Sequence, residues 1–529
     1  MRYGFVIDHR KCIGCHACTV ACKEENRVPL GSFRTWVKYV EKGTFPDTRR
    51  YFSVLRCNHC DDAPCVTICP TVALYRRDDG IVDFDNRRCI GCKSCMQACP
   101  YDALYIDPNT NTAAKCHYCA HRLEVGLEPA CVIVCPERAI IAGDLDDPRT
   151  EIARMVAREN VEVRKAEQGT RPKVFYVGAD SSALTPPLQR PATTYLWAQR
   201  SPEEADLMRM VAAVQERGPA GDGTLSRPVY DVPHAVRPWG WRVSTYLWTK
   251  SIAAGALLVA GLAGSTWWGS LGTITAPAIS LFFLLLTLVL LVVDLKRPDR
   301  FAYILLKPNW RSWLVWGAWI LMAFGGLGAL WMLGGLRGSS PPGILTALTI
   351  LLALGTAGYS AFLFGQAEGR DFWQSPLVLP HLVVAALVAG SAVLLLASFV
   401  VPVGPADLIG RGGELLDKRE ILWRLHGLLG PLLWLALLVH GALLLIELLS
   451  RHPTHDVALS ARLLTRGAYC TRFWGGVVLA GTVVPMIALI AGAASGAMLL
   501  TALAALLALG GLWLWEDLWV KAGQSVPLS

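Results

Sequence analysis

"CIGCKSCMQACP" (Cys89–Pro100) places four thiols within eleven residues and then stops on a proline. Cys89, Cys92 and Cys95 stand at intervals of three, Cys99 follows after a gap of four, and Pro100 comes next. A disulfide uses two thiols, and a zinc ion usually takes a pair from each of two short loops. Neither needs a triplet. A cubane of iron and sulfide does, because a tight loop offers three thiolates to three irons and leaves the fourth iron to a distant cysteine. This is the spacing of bacterial ferredoxins, in which the cysteine before the proline serves the other cluster of a pair.

In all, sixteen of the seventeen cysteines fall within the first 135 residues, in four groups of four. The other groups are Cys12, Cys15, Cys18 and Cys22; Cys57, Cys60, Cys65 and Cys69; and Cys116, Cys119, Cys131 and Cys135. The first and third share even their lead-in, "VIDHRKCIGC" beside "VDFDNRRCIGC", which is an internal repeat. Sixteen thiolates match four [4Fe–4S] clusters with none left over. A disulfide framework belongs to short secreted chains, and "MRYGFVIDHR" at residues 1–10 does not resemble an export signal.

The rest of the chain is of a different kind. Seventeen of nineteen tryptophans lie at or beyond Trp239, and from Arg237 onward nineteen Lys and Arg face twelve Asp and Glu. These basic residues sit in short loops between long apolar runs, so nucleic acid is not an expected partner. The runs, at 244–268, 272–294, 312–335, 343–366, 377–401, 421–449, 473–494 and 496–519, each hold the roughly 20 apolar residues that cross a bilayer as a helix. Tryptophans gather near their ends as an aromatic belt. The expected fold is therefore multidomain. An α+β, ferredoxin-like four-cluster domain (1–168) is followed by a connector (169–240) and an all-α polytopic membrane domain of about eight helices (241–529). The connector is rich in Pro and Gly and reads as a tether, with a short strand at "PKVFYVGAD" and one helix opened by Ser201, Pro202 and Glu204 in a capping box. With eight spans, thirteen Lys and Arg of the loops fall on the side of the cluster domain. Five fall on the other: Arg337, Arg411, Lys418, Arg419 and Arg424. The positive-inside rule then puts the clusters in the cytoplasm, beneath the inner membrane.

Residues 1 to about 180 resemble the four-cluster iron–sulfur subunit of the dimethyl sulfoxide reductase and polysulfide reductase group of molybdopterin oxidoreductases. The membrane half resembles the NrfD/polysulfide-reductase membrane subunit in "WGWRVSTYLWTKSIAAGA", "VDLKRPDRFAYILLKPNWRSWLVWGAWIL", "GYSAFLF" and "KAGQSVPLS". The chain looks like a fusion of the two. The resemblance implies crosswise ligation: Cys12, Cys15 and Cys18 with Cys135; Cys116, Cys119 and Cys131 with Cys22; Cys57, Cys60 and Cys65 with Cys99; Cys89, Cys92 and Cys95 with Cys69. It also implies a separate subunit bearing a molybdenum or tungsten bis-pterin at one end of this wire, and quinone or menaquinone from the membrane pool at the other. No G-x-G-x-x-G opens a strand–turn–helix unit, so a nicotinamide site is not expected.

A quinone site needs an apolar slot, donors to the carbonyls and a proton route, all near the clusters. Arg242, Tyr246 and Tyr359 are the first candidates, by resemblance to the family's quinone pocket. Lys250, His381, Glu447 and Asp294 follow as ionisable residues within or at the ends of spans. Asp294 and Arg297 have loop bracing as a competing role. His426 and His440 are fourteen residues apart on one run, a spacing known from haem-b helices, and only His381 is available as a second ligand within the spans. The eight-span family is haem-free, so haem b is not expected and helix–helix hydrogen bonding is the simpler role for these histidines. The competing function is an electron-transfer or ion-translocating module of a quinol-oxidising respiratory complex without a pterin partner. The carboxylates of the far-side loop, Asp407, Glu414, Asp417 and Glu420, have few charges within the helices to continue a path.

Overall fold

The computed structural model describes residues 1–186, 189, 202–216, 226–234, 237–264, 269–400 and 418–529. Its N-terminal part is mixed α+β. The apolar strand β1 (Tyr3–Asp8) is buried through most of its length and anchors a four-stranded sheet. It pairs antiparallel with β8 (Ile140–Asp144) and parallel with β10 (Val174–Val177), and β10 pairs antiparallel with β9 (Val161–Glu162). A second sheet joins β2 (Thr35–Thr44), β3 (Asp47–Arg56) and β11 (Ser226–Tyr230), all antiparallel. Two short hairpins, β4 (Leu74–Arg76) with β5 (Val82–Phe84) and β6 (Leu104–Ile106) with β7 (Ala113–Lys115), follow the second and third cysteine groups.

The internal repeat folds as a repeat. In "CIGCHAC" and "CIGCKSC" the glycines, Gly14 and Gly91, adopt φ of 73° and 68°. The residues two before the third cysteine, His16 and Lys93, adopt φ of 60° and 65°. Two left-handed residues turn the chain tightly enough to aim three sulfurs at one point, and glycine takes one of them without penalty.

The segment expected to tether the two parts also builds the first of them. The strand read from "PKVFYVGAD" is β10 and lies inside the main sheet, and β11 extends the second sheet. The connector helix spans Pro202–Glu216 and packs Leu207, Val211 and Val214 into the same apolar core as Leu459, Leu463 and Leu464. Ser201 and the side chains of Pro202 and Glu204 lie outside the described residues. So do the far-side loop 401–417, with Asp407, Arg411, Glu414 and Asp417, and the side chains of Lys418, Arg419, Glu420 and Arg424.

Among the described residues, eight helices are long and apolar enough to cross a membrane. They are α1 (Trp241–Leu262), α2 (Leu271–Asp294), α3 (Trp313–Leu336), α4 (Gly343–Gly365), α5 (Val378–Val400), α6 (Leu425–Leu449), α7 (Arg472–Ser495) and α8 (Met498–Gly523). The chain is a multi-pass membrane protein. In α1, 89% of the most apolar stretch is buried within the protein, against 28% for α2 and α3, so α1 is the centre of the bundle. Small residues allow this: Gly255 of α1 and Gly390 of α5 touch backbone to backbone.

The two parts dock through the loop between α2 and α3. Backbone N–H groups of Lys296 and Arg297 donate to the carbonyls of Gly91 and Ile90, at 3.2 and 3.1 Å. Arg300 donates to the carbonyls of Asn86 and Cys89, at 2.6 and 3.2 Å, and Ser312 to that of Ile68, at 2.7 Å. Asn309 spreads its amide over the carbonyls of Val66, Thr67 and Cys69, at 3.3, 3.3 and 2.8 Å. Residues 524–529 enter the same seam. Gln524 bridges Gln97 and the backbone of Trp239, and Arg370 donates to Gln97 and to the Val526 carbonyl.

Candidate functional site: four cysteine rings and a polar pocket in the membrane

The tight turns and the short helices after them bring the sixteen cysteines together in four rings. Cys12, Cys15, Cys18 and Cys135 line one small cavity. Cys22, Cys116, Cys119 and Cys131 line another, and Cys69, Cys89, Cys92 and Cys95 a further one. Cys57, Cys60, Cys65 and Cys99 are mutual neighbours in the remaining ring. Each ring is three cysteines of one loop and one of another. Among the described residues no three His, Cys, Asp or Glu converge as a single metal ion requires. Burial pushes the Cys18 and Cys116 thiols up to about 12 and that of Cys99 up to about 11, so as free thiols these groups stay protonated at neutral pH. Four sulfurs facing one small cavity fit a cubane.

The rings stand in line. Cys18 neighbours Cys131 across the first gap, Cys116 neighbours Cys57 across the second, and Cys65 neighbours Cys95 across the third. At the first ring Cys15 is exposed, with the apolar side chains of Ile13, Val20 and Ile133 open to solvent beside it. At the last, the loops of Cys69 and Cys89 are those docked on the α2–α3 loop, and Trp239 donates its indole N–H to the Cys92 carbonyl at 3.2 Å.

Within the membrane part, Tyr246 and Lys250 of α1 meet Tyr359 and Ser360 of α4. Lys250 is fully buried, and its Nζ donates to the Ala357 carbonyl at 2.9 Å and to Ser360 Oγ at 2.8 Å. The same ammonium lies 4.9 Å from the centre of the Tyr359 ring. Gly317 of α3 leaves no room for a Cβ against that ring, so the phenol is held by backbone on one side and by cation on the other. Glu516 of α8 closes the group: Ser251 Oγ lies 3.5 Å from its Oε1, and Oε2 has no partner.

His381 belongs to a second group. Its Nε2 is 2.9 Å from Glu447 Oε2, close enough for an ion pair but misaligned for a hydrogen bond. The ring of His440 stands edge-on to it with centres 5.7 Å apart, and Trp515 covers the His381 ring at 5.8 Å. Two candidates stand outside both groups. Arg242 is exposed and donates to the Val293 carbonyl at 3.2 Å, at the surface end of α2. Asp294 pairs with Lys93 at 2.8 Å and so braces the cluster domain, the competing role named for it above. His426 hydrogen-bonds with Ser398 and Thr501 between helices. Glu516 is the residue that the sequence reading passed over. Its signal was a carboxylate in "LWLWEDLW", inside an apolar run.

Residues 232–524 match the family model for polysulphide reductase NrfD, and residues 48–145 match that for a 4Fe-4S dicluster domain. The N-terminal part is similar to a tetrathionate reductase subunit of Salmonella typhimurium, 48% identical over 202 residues, covering 37% of this chain and 80% of the relative. It is also 42% identical over 181 residues to one of the chains of polysulfide reductase of Wolinella succinogenes, covering 33% and 94%. With protein NrfC of Escherichia coli the identity is 44% over 180 residues, covering 34% and 81%. An NrfD-type membrane domain fused to an iron–sulfur domain of the dimethyl sulfoxide/polysulfide reductase group makes this chain a member of that family, an electron-transfer and membrane-anchor subunit of molybdopterin-type respiratory oxidoreductases.

Proposed function

We propose that the sixteen cysteines hold four [4Fe–4S] clusters in the crosswise sets given above, and that electrons pass along them between a molybdenum or tungsten bis-pterin subunit and membrane quinone. The observation that carries this reading is the line of rings, open to solvent at one end and seated on the bundle at the other. A catalytic partner would meet the exposed end, at Cys15 and its apolar neighbours Ile13, Val20 and Ile133. The clusters supply one-electron transfer with little rearrangement. The cluster domain lies on the cytoplasmic face in this reading, which the excess of Lys and Arg in the loops on its side supports.

At the docked end, Tyr246, Tyr359, Lys250 and Glu516 form the quinone-reactive group. Quinone turnover moves two protons with two electrons. Lys250 is positioned to donate to a carbonyl oxygen, Tyr359 Oη to hold or pass a proton, and Glu516 Oε2, free of any partner, to exchange one with the cytoplasmic side. His381, His440 and Glu447 extend that route along α5 and α6. The test is Tyr246→Phe and Tyr359→Phe in the membrane-bound complex. Quinol-driven turnover should fall at least tenfold in one or both, with iron content and cluster spectra unchanged. Wild-type turnover in both would remove the site from this group.

A further inference from the structure

The ring of Cys22, Cys116, Cys119 and Cys131 has a buried arginine in direct contact with one of its sulfurs. Arg56, the last residue of β3, is 1% exposed and points Nη1 at Cys131 Sγ from 3.2 Å. Its guanidinium lies 4.4 Å from the centre of the Phe5 ring. Nε and Nη2 have no hydrogen-bond partner, and among the described residues no carboxylate pairs with this charge. A buried cation without an anion is costly. It is explained if negative charge occupies the cavity that Arg56 lines.

Other groups converge on the same cavity. Arg34, half-buried, lines it and holds Asn26 Oδ1 at 3.3 Å. Asn26 turns its Nδ2 to the sulfurs of both Cys22 and Cys119, at 3.7 Å each. On the far side, between the second and third rings, the fully buried Lys115 donates to the carbonyls of Val82 and of Cys116, the latter at 2.9 Å. The cavities at the two ends are lined by a lysine each, and by no arginine among the described residues. Lys11 stands at the first, and Lys93 at the last is neutralised by Asp294.

We infer that Arg56 and Arg34 make the second site of the wire the most readily reduced of the four, the place where an electron rests in passage. This rests on the reading that each ring holds a cubane. Adding one electron to a [4Fe–4S] core bound by four thiolates takes the total charge from −2 to −3 and breaks no bond. A fixed cation in contact with that charge, and N–H donors directed at its sulfurs, favour the reduced state. The electron comes from an adjacent ring, which is oxidised by one unit as this one is reduced.

The test is a redox titration of the intact membrane complex followed by electron paramagnetic resonance. Arg56→Gln should lower the reduction equilibrium constant of the highest-potential cluster at least tenfold, which is about 59 mV for one electron. The other three should move less than threefold. Arg56→Lys, which keeps the charge, should retain most of the wild-type potential. Arg34→Gln removes a half-exposed side chain without opening the core and should lower the same midpoint by a smaller step. No shift in either glutamine variant with iron content intact, or a shift confined to a lower-potential cluster, overturns the inference. Cys131→Ser separates the two layers of reasoning. Loss of the highest-potential signal supports the assignment, and loss of a different one overturns it while the four-cluster reading stands. Loss of none overturns the four-cluster reading itself.

Discussion

The seam between the last ring and the bundle depends on Asn309, and Asn309→Asp probes it with almost no change of shape. The wild-type amide donates to three carbonyls of the Val66–Cys69 turn, while its Oδ1 accepts from the Arg311 N–H at 3.2 Å. Aspartate keeps the acceptor and removes every donor. Two N–H hydrogens shared over three carbonyls amount to about 2 kcal/mol, and a carboxylate facing those half-buried carbonyl oxygens adds about 1–3 kcal/mol of penalty, for about 3–5 kcal/mol together. Even the lower figure is roughly a hundredfold in the local docking equilibrium. The backbone bond from Asn309 N–H to the Pro70 carbonyl at 2.9 Å and that from Ser312 to Ile68 remain, so the turn shifts rather than detaches. The assay is stopped-flow reduction of the clusters by a quinol analogue beside chemical reduction by dithionite. In the variant, dithionite should reduce every cluster and iron content should be unchanged, while quinol-driven reduction slows about tenfold or more; Asn309→Ala should fall between. Wild-type quinol-driven reduction in Asn309→Asp would refute the claim that this contact sets the electron path into the membrane.

Three further perturbations test the framework. A Cβ at Gly255 would lie 2.7 Å from Gly390 N, so Gly255→Ala should part α1 from α5, cost about 1–3 kcal/mol and lower the melting temperature in detergent. Gly326→Ala, with open space around it, should leave that temperature unchanged. His234 lies 2.7 Å from Asp102 and 3.3 Å from Asp231; burial pulls its pKa down, but the two carboxylates outweigh burial and raise it to about 10. Asp231 in turn faces Lys38 at 3.4 Å. Because the folded pKa lies above the ordinary value of 6.5, this stabilisation is complete below pH 6.5 and is lost as pH rises towards 10, at up to about 1.4 kcal/mol per unit. His234→Gln should flatten the decline of melting temperature over that window, and an unchanged slope would count against it. Arg370→Met leaves Gln97 Oε1 and the Val526 carbonyl without their buried donor, a cost of about 2–4 kcal/mol that should appear as faster proteolysis between the two parts.

The cysteine rings were legible because their chemistry is written in spacing: a tight loop presents three sulfurs wherever it lies, and Gly14 and Gly91 mark the turns. The spans were legible because backbone in lipid must close its own hydrogen bonds. Their ends were less so. The helix of the last run continues to Gly523 where the apolar pattern stops at residue 519, since Trp515–Gly523 pack against protein. The direction of Arg242 was hidden for a related reason: it lies one helical turn from Tyr246, yet its side chain turns to Val293 at the surface while Tyr246 is buried. The connector looked like a tether because β10 and β11 find partners more than 160 residues away, which local composition cannot register. Arg56 and Arg34 gave no signal at all. Nothing in the spacing of an arginine says that it will be buried against a sulfur supplied by another loop.

The fusion changes what each end of the wire requires. The docking groups on the bundle side, Asn309, Arg300, Ser312 and Trp239, address backbone carbonyls of the cysteine loops, so they read the turn geometry of the motif more than its side chains. Such contacts are individually weak, at about 1 kcal/mol each. They suffice because the partners are covalently joined, through a connector whose own strands are woven into the sheets of the cluster domain, and an intramolecular contact works at high effective concentration. The other end has no such help. On the function proposed above, a separate catalytic chain would be held by surface alone, and the exposed apolar residues Ile13, Val20 and Ile133 are the kind of surface that association between chains uses. On that proposal, covalent tethering at the membrane end and apolar exposure at the other are two solutions to one problem, that of keeping two redox centres close enough to exchange electrons.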